Sequence, residues 1–319
     1  MKEETEQLKS QIQALKKEKN AVIFAHYYTR PEIQEIADFI GDSLALAQQA
    51  THVHADILVM CGVHFMGETM KILCPDKKVL IPDMNAGCSL ADSCKAEDLK
   101  LFIEEQTKRL GQRPMVVSYV NTTAEVKALT DVVVTSSNAK KIVDQLPKDA
   151  KIIFGPDHNL GSYINSVTGR EMILWNGACH VHSRFSLEAL LQLKLQYPDA
   201  PVLAHPECKA PILAVSDVIG STKALLEYTI SSDKKQFIIA TESGILFEMQ
   251  RACPEKEFIP VPPEVTEGVG CSCNECEYMR MNTLQKVYDC LLNERPDMTV
   301  DQEIAAKAVS SIQRMLQMS

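Results

Sequence analysis

An α/β fold of three similar αβα units, with short parallel sheets arranged around a pseudo-threefold axis, is what the sequence predicts. Two observations carry it. Short apolar runs alternate with helical patterns along the chain, which implies parallel sheets covered on both faces and joined by right-handed crossovers. An order of strand, polar turn, hydroxyl, strand and Gly-containing cysteine turn also occurs three times, and such self-similarity marks repeated units. His26 to Ser43, Tyr119 to Ser136 and His205 to Thr222 are each 17 residues apart, and two positions past the first member lie Tyr28, Asn121 and Glu207.

Taken in order, residues 1–19 place Leu8, Ile12 and Leu15 among Lys, Glu and Gln and read as an amphipathic helix resting on the body. Ala21–Ala25 is an apolar run of the kind found in a strand buried on both faces. It ends at His26-Tyr-Tyr28, and a helix opens at Gly41-Asp-Ser43. A second strand at Ile57–Met60 and a third near Lys78–Ile81 lead to Asn85-Ala-Gly-Cys88. The second unit repeats this with strands at Met115–Ser118, Lys151–Phe154 and Met172–Trp175, leading to Asn176-Gly-Ala-Cys179. The third has Pro201–Ala204, Gln236–Ala240 and Phe258–Val261, leading to Gly268-Val-Gly-Cys-Ser-Cys-Asn-Glu-Cys276. Two helical patterns follow, Leu284 to Leu292 and Asp301 to Met318, broken at Arg295-Pro296. The expected boundaries are 1–110, 111–197 and 198–290 for the units and 291–319 for a helical tail. Parallel sheets bind ligands beyond the carboxyl ends of their strands, where all the repeated polar residues fall, so the turns are expected to face one cavity.

The net charge of −9 argues against broad binding to nucleic acid or to an anionic membrane surface. No apolar run approaches a membrane span, and the first residues lack a signal core. The expectation is a cytoplasmic protein, where eleven cysteines point to metal or redox chemistry before disulfides. Three thiols within six positions, Cys271, Cys273 and Cys276, lack the second nearby pair of a self-contained zinc ribbon. Their partners must come from far along the chain, and Cys88 and Cys179 occupy similar turns. One thiolate per unit, with no carboxylate beside it, suits an iron–sulfur cluster or zinc. With three thiolates on a four-iron cluster, one iron keeps an open position. His180 and His182 beside Cys179 offer a zinc alternative. The repeat alone selects Cys271 as the third ligand, because Gly268-Val-Gly-Cys271 resembles the other two turns. Cys94 and the remaining cysteines read as buried thiols.

Ser43, Ser136 and Thr222 at helix starts read either as caps or as a cage whose free N–H groups hold phosphate or carboxylate. His26, Tyr28, Tyr119, Asn121, His205 and Glu207 follow buried strands and must find partners or face a cavity. Glu207 and His205 form the natural acid/base pair.

Ala25-His-Tyr-Tyr28, Gly41-Asp-Ser43, Ser118-Tyr-Val-Asn-Thr122, Cys179-His-Val-His182, His205-Pro-Glu-Cys208, Gly220-Ser-Thr222 and the segment Cys276-Glu-Tyr-Met-Arg-Met-Asn-Thr-Leu284 together resemble the quinolinate synthase family over nearly the whole chain. The resemblance implies a [4Fe-4S] cluster on Cys88, Cys179 and Cys276. It implies condensation of iminoaspartate with dihydroxyacetone phosphate to quinolinate in NAD biosynthesis, with loss of phosphate and water, and coupling to an aspartate-oxidising enzyme. Substrate-binding roles fall on His26, Ser43, Tyr119, Val120, Asn121, Ser136, His205, Pro206, Glu207 and Thr222, and Tyr28 lies close to the chemistry. Many members have Cys-x-x-Cys-x-x-Cys followed by Pro, whereas this chain has Cys-x-Cys-x-x-Cys followed by Glu277. The reading from a different class is a non-catalytic iron–sulfur redox sensor or zinc-stapled scaffold, for which the matched polar residues have no use.

Overall fold

The computed structural model describes residues 2–264 and 274–319. Three four-stranded, all-parallel sheets form, one per unit. The first holds β1 (Ala21–His26), β2 (Phe39–Gly41), β3 (Ile57–Cys61) and β4 (Lys78–Leu80). The second holds β5 (Met115–Tyr119), β6 (Val132–Val134), β7 (Ile152–Gly155) and β8 (Ile173–Leu174). The third holds β9 (Val202–Ala204), β10 (Val218–Ile219), β11 (Gln236–Ala240) and β12 (Glu257–Pro260). The spatial orders are β2-β1-β3-β4, β6-β5-β7-β8 and β10-β9-β11-β12. Each chain leaves its first strand to one side and then crosses to the other, so a switch point lies between the first and third strands. Crevices at such points, beyond the carboxyl ends, are where α/β sheets take ligands.

The sequence reading found three strands per unit and missed β2, β6 and β10. These edge strands are two or three residues long, too short to show a period. An aspartate staples each one. The carboxylates of Asp38, Asp131 and Asp217 accept the amides of Ile23, Val116 and Val202 at 2.8, 2.7 and 2.8 Å, always across 15 residues. The amide of each aspartate donates back to the same residue's carbonyl. An aspartate before a short edge strand thus does what a long hydrogen-bonded ladder would otherwise do, and removing it would orphan a strand amide.

Both faces of each sheet are buried, which is why the central strands are continuous apolar runs. In the third sheet Val202, Ala204, Ile238 and Ala240 face one cluster and Leu203, Phe237 and Ile239 the other. The helix preceding each first strand packs on that strand's sheet: Ile12 of Lys2–Glu18 on the first, Leu99 and Ile103 of Ala96–Leu110 on the second, Leu190 of Leu187–Gln196 on the third. The helices 96–110 and 187–196 thus each pack on the sheet that follows them in the chain. The helix Leu284–Asn293 returns to the first sheet through Val287 and Leu291, and Gln302–Met318 inserts Ala308, Ile312 and Met315 into the core shared by the first two units. Among the described residues, no helix is long and apolar enough to cross a membrane.

Candidate active site

The turns after β1, β5 and β9 meet in one open-mouthed cavity, about 740 Å³ of empty space with the solvent at its mouth included. Its wall includes His26, Tyr28, Tyr119, Val120, Asn121, His205 and Glu207. Pro206 shares the last turn but is not part of the wall.

The two histidines are set by the same local geometry. The amide of Tyr28 donates to Nδ1 of His26 at 3.1 Å, and the amide of Glu207 donates to Nδ1 of His205 at 3.3 Å. A ring nitrogen that accepts a bond carries no proton, so Nε2–H is left as each neutral ring's donor. Burial pushes His26 down to about 4 and His205 down to about 3, against the pull of nearby carboxylates. Both rings are neutral near pH 7.

Side chains from all three units interlock across the cavity. The hydroxyl of Tyr119 donates to Oε1 of Glu207 at 2.5 Å. Nδ1 of His182 lies 3.1 Å from the other carboxylate oxygen, and the His182 ring stacks on His205 with centroids 4.6 Å apart. Nε2 of His182 meets the Thr241 hydroxyl at 3.0 Å, which in turn meets the Tyr28 hydroxyl at 3.1 Å. Tyr28 also reaches Thr222 at 2.6 Å. Burial opposes ionisation of Glu207, but His182, His205 and the Tyr119 hydroxyl hold it well below the usual carboxylate range. His205 is itself neutral, so the direct partners His182 and Tyr119 sustain that charge. Burial raises Tyr28 and Tyr119 well above the ordinary phenol, keeping both hydroxyls protonated.

Ser43, Ser136 and Thr222 also line the cavity, and none of them caps its helix. The caps are the preceding Asp42 and Ser221, which accept from Ala45 and Ala224, while Asn138 begins the third helix. The three hydroxyls are left beside helix N-termini, a combination suited to anionic groups. Beneath this wall Lys127 is fully buried, donating to the Thr122 carbonyl and lying 5.3 Å from the Phe65 ring centroid. Burial brings it down to about 8.

Cys88, Cys179 and Cys276 line the same cavity. Each precedes a short helical turn: Ser89–Asp92, His182–Arg184 and Met279–Met281. A matched backbone bond ties them to the third strands. The amides of His64, His158 and Ser243 donate to the carbonyls of Ala86, Gly177 and Asn274, always two residues before the cysteine. Cys276 shares this bond with Cys88 and Cys179, where the repeat in sequence had pointed to Cys271; Cys271 and Cys273 lie outside the described residues. Burial raises Cys88 to about 11, Cys276 to about 12 and Cys179 well above the ordinary thiol, and a Cys88 thiolate would raise both others further. Amides following each sulfur act in the opposite sense: Leu90 and Ala91, His182, and Tyr278 and Met279. Three soft donors that repel one another as thiolates, each helped by local amides, fit a bound cationic metal centre.

His182 lies beside this group, with Nδ1 3.4 Å from the Cys179 sulfur; ligand atoms of Cys179, His182 and Glu207 all fall within 4.8 Å of one another. His180 turns away to Ser89 and Glu277 at 2.5 and 3.0 Å. Cys94 is buried in the separate cluster with Leu99 and Ile103. The described cysteines are all free thiols. Sequence reasoning passed over Thr241, Lys127, Asp157 and Glu242. Three of them follow the third strands, where the matched positions of other units hold Gly62, Pro156 and Val63, so the repeat does not single them out.

The family model described as Quinolinate synthetase A protein matches residues 10–317. A relative named quinolinate synthase from Chloroherpeton thalassium is 51% identical over 309 residues, covering 97% of this chain and 94% of the relative. The protein of the same name from Synechocystis sp. is 54% identical over 308 residues, with 97% and 94% covered. That of Synechococcus sp. is 52% identical over 312 residues, with 98% and 95% covered.

Proposed function

Since the chain belongs to the quinolinate synthetase A family, we infer that it acts as a quinolinate synthase in NAD biosynthesis, joining iminoaspartate to dihydroxyacetone phosphate with loss of phosphate and water. An aspartate-oxidising enzyme would supply the imine. The observation that carries the reading is the convergence of three matched polar turns and three thiols on one cavity.

Cys88, Cys179 and Cys276 would hold a [4Fe-4S] cluster. Bound there, it would supply a Lewis acid for a substrate hydroxyl or carboxylate at its thiolate-free iron. The chain's own residues divide the remaining work. Ser43, Ser136 and Thr222, with the amides of their helix starts, bind phosphate and carboxylate groups. His26 and His205, neutral and donating from Nε2, add directional hydrogen bonds without adding charge. Tyr119 fixes the Glu207 carboxylate from one side and His182 from the other. Glu207, ionised at neutral pH, is the base that removes a carbon-bound proton during condensation and water loss. Tyr28 keeps its proton and is placed by Thr222 and Thr241 to deliver it to a leaving oxygen.

Anaerobically purified protein supplied with iminoaspartate and dihydroxyacetone phosphate is expected to form quinolinate and to carry iron and sulfide. Iron and sulfide with no quinolinate would favour the sensor. Zinc without sulfide would favour a stapled scaffold, for which Cys179, His182 and Glu207 supply donors.

A further inference from the structure

Two buried carboxylates that the sequence reading did not single out, one of them (Glu242) in the cavity wall, do the same thing in two units. Cys61, Gly155 and Ala240 end the third strands and pair in register with Ala25, Ser118 and Ala204. Two residues further on stand Val63, Asp157 and Glu242. Asp157 and Glu242 are wholly inaccessible to solvent. One oxygen of Asp157 accepts the Leu160 amide at 2.7 Å and the other accepts the Cys179 amide at 3.0 Å. One oxygen of Glu242 accepts the Gly244 amide at 2.6 Å and the other accepts the Cys276 amide at 2.9 Å. Each carboxylate thus joins its own loop to the backbone of one cysteine. A Cβ on Gly244 would come within 2.6 Å of the Tyr28 backbone and 2.8 Å of the Glu242 carboxylate, so this loop is closely confined.

The first unit differs. Val63 offers no acceptor, and the Cys88 turn is braced from Asp83, which accepts the Asn85 amide at 2.9 Å and the Lys286 ammonium at 2.5 Å.

We propose that Asp157 and Glu242 are positioning residues that fix the Cys179 and Cys276 turns for metal binding, while the Cys88 turn depends on the Asp83–Lys286 brace. The proposal rests on the three-cysteine reading above. Neither carboxylate need touch substrate or iron; each acts through a backbone amide, in the way outer-shell groups hold metal ligands. A burial this complete is tolerated because both oxygens of each carboxylate accept bonds.

Asp157→Asn and Glu242→Gln are the sharp probes. A carboxamide offers one acceptor oxygen and turns an NH2 group toward the second backbone amide, so each variant loses one of its two bonds. In anaerobically purified, iron-loaded protein, both variants are expected to release iron to a colorimetric chelator at least tenfold faster than wild type. Hydrogen exchange at the peptide carrying the affected cysteine is expected to accelerate by a similar factor. Val63→Ala, a cavity at the matched position, is expected to lower Tm without changing either rate, which separates positioning from general loss of stability. If Glu242→Gln fails to fold, Glu242→Asp keeps the carboxyl group on a shorter arm and is expected to release iron at a rate above wild type. Wild-type release and exchange rates in the folded variants would overturn the proposal alone. A wild-type protein that takes up no iron would overturn the three-cysteine reading and the proposal with it.

Discussion

His26 and His205, from the first and third units, take the same backbone bond: the amide two residues ahead donates to Nδ1, at 3.1 and 3.3 Å. The bond selects the Nε2–H tautomer, and burial lowers both rings, to about 4 and about 3. In nitrogen-15 spectra both imidazoles are expected to stay in that neutral tautomer from pH 8 down to roughly pH 5, with protonation only below that. A ring titrating near the unperturbed value of about 6.5 would show that the cavity admits enough water to stabilise the imidazolium.

Much of this arrangement was legible in the sequence, and the reason is specific. His26 and Tyr119 end a buried central strand and His205 directly follows one, so their spacing to Ser43, Ser136 and Thr222 survived as a number that could be compared. What escaped was set by geometry finer than that spacing. The caps fall one residue earlier, on Asp42 and Ser221, which freed the very hydroxyls that capping propensity would have explained away. The likeness of the Cys276 turn to the other two lies in a backbone bond, Ser243 to Asn274, that no sequence pattern displays. Asp157 and Glu242 were hidden because their partners are amides, and the first unit carries Val63 in their place. Lys127 reads as an ordinary charge on a short helix, Ala124–Ala128, and only packing buries it.

Metal content tests the thiol assignment. Single Ser replacements at Cys88, Cys179 and Cys276 are each expected to remove most of the iron, because each takes away one of three soft donors. Cys94→Ser, in a different cluster, is expected to retain it. Full iron in Cys276→Ser together with loss in Cys271→Ser would move the third ligand to Cys271.

Lys127 supplies a test with a defined sign. Its folded value is lowered from 10.5 to about 8, chiefly by burial, with Glu68 pulling the other way. Between those values the unfolded chain holds a proton that the folded chain has released, so stability rises with pH through this window. Denaturant titrations of wild type and Lys127→Met at pH 7.5 and pH 10 isolate the effect, since other titrating groups largely cancel in the difference. Wild type is expected to gain on the variant by up to about 3 kcal/mol across the window. A flat difference would mean that Lys127 keeps its proton inside the fold, held by Glu68.

Glu207 is where the chemistry is concentrated. Condensing an imine with a triose requires proton removal beside a carbonyl, and each later water loss requires another proton taken from carbon. A metal centre polarises oxygen, but a carbon-bound proton needs a side-chain base. Glu207 is fully buried yet held ionised by His182 and Tyr119, which gives a charged base at neutral pH. Glu207→Gln preserves size and can still accept from Tyr119 while deleting the base. Iron content and substrate binding are expected to hold, since the proposed ligands are thiols and the anion-binding hydroxyls are untouched. Turnover is expected to fall by roughly two to four orders of magnitude, the usual contribution of a positioned general base. Anaerobic single-turnover quinolinate formation by the variant beside wild type makes the measurement. Near-wild-type rates would remove Glu207 from proton transfer and shift the role to His205 or Tyr28, the remaining groups in the same hydrogen-bonded wall.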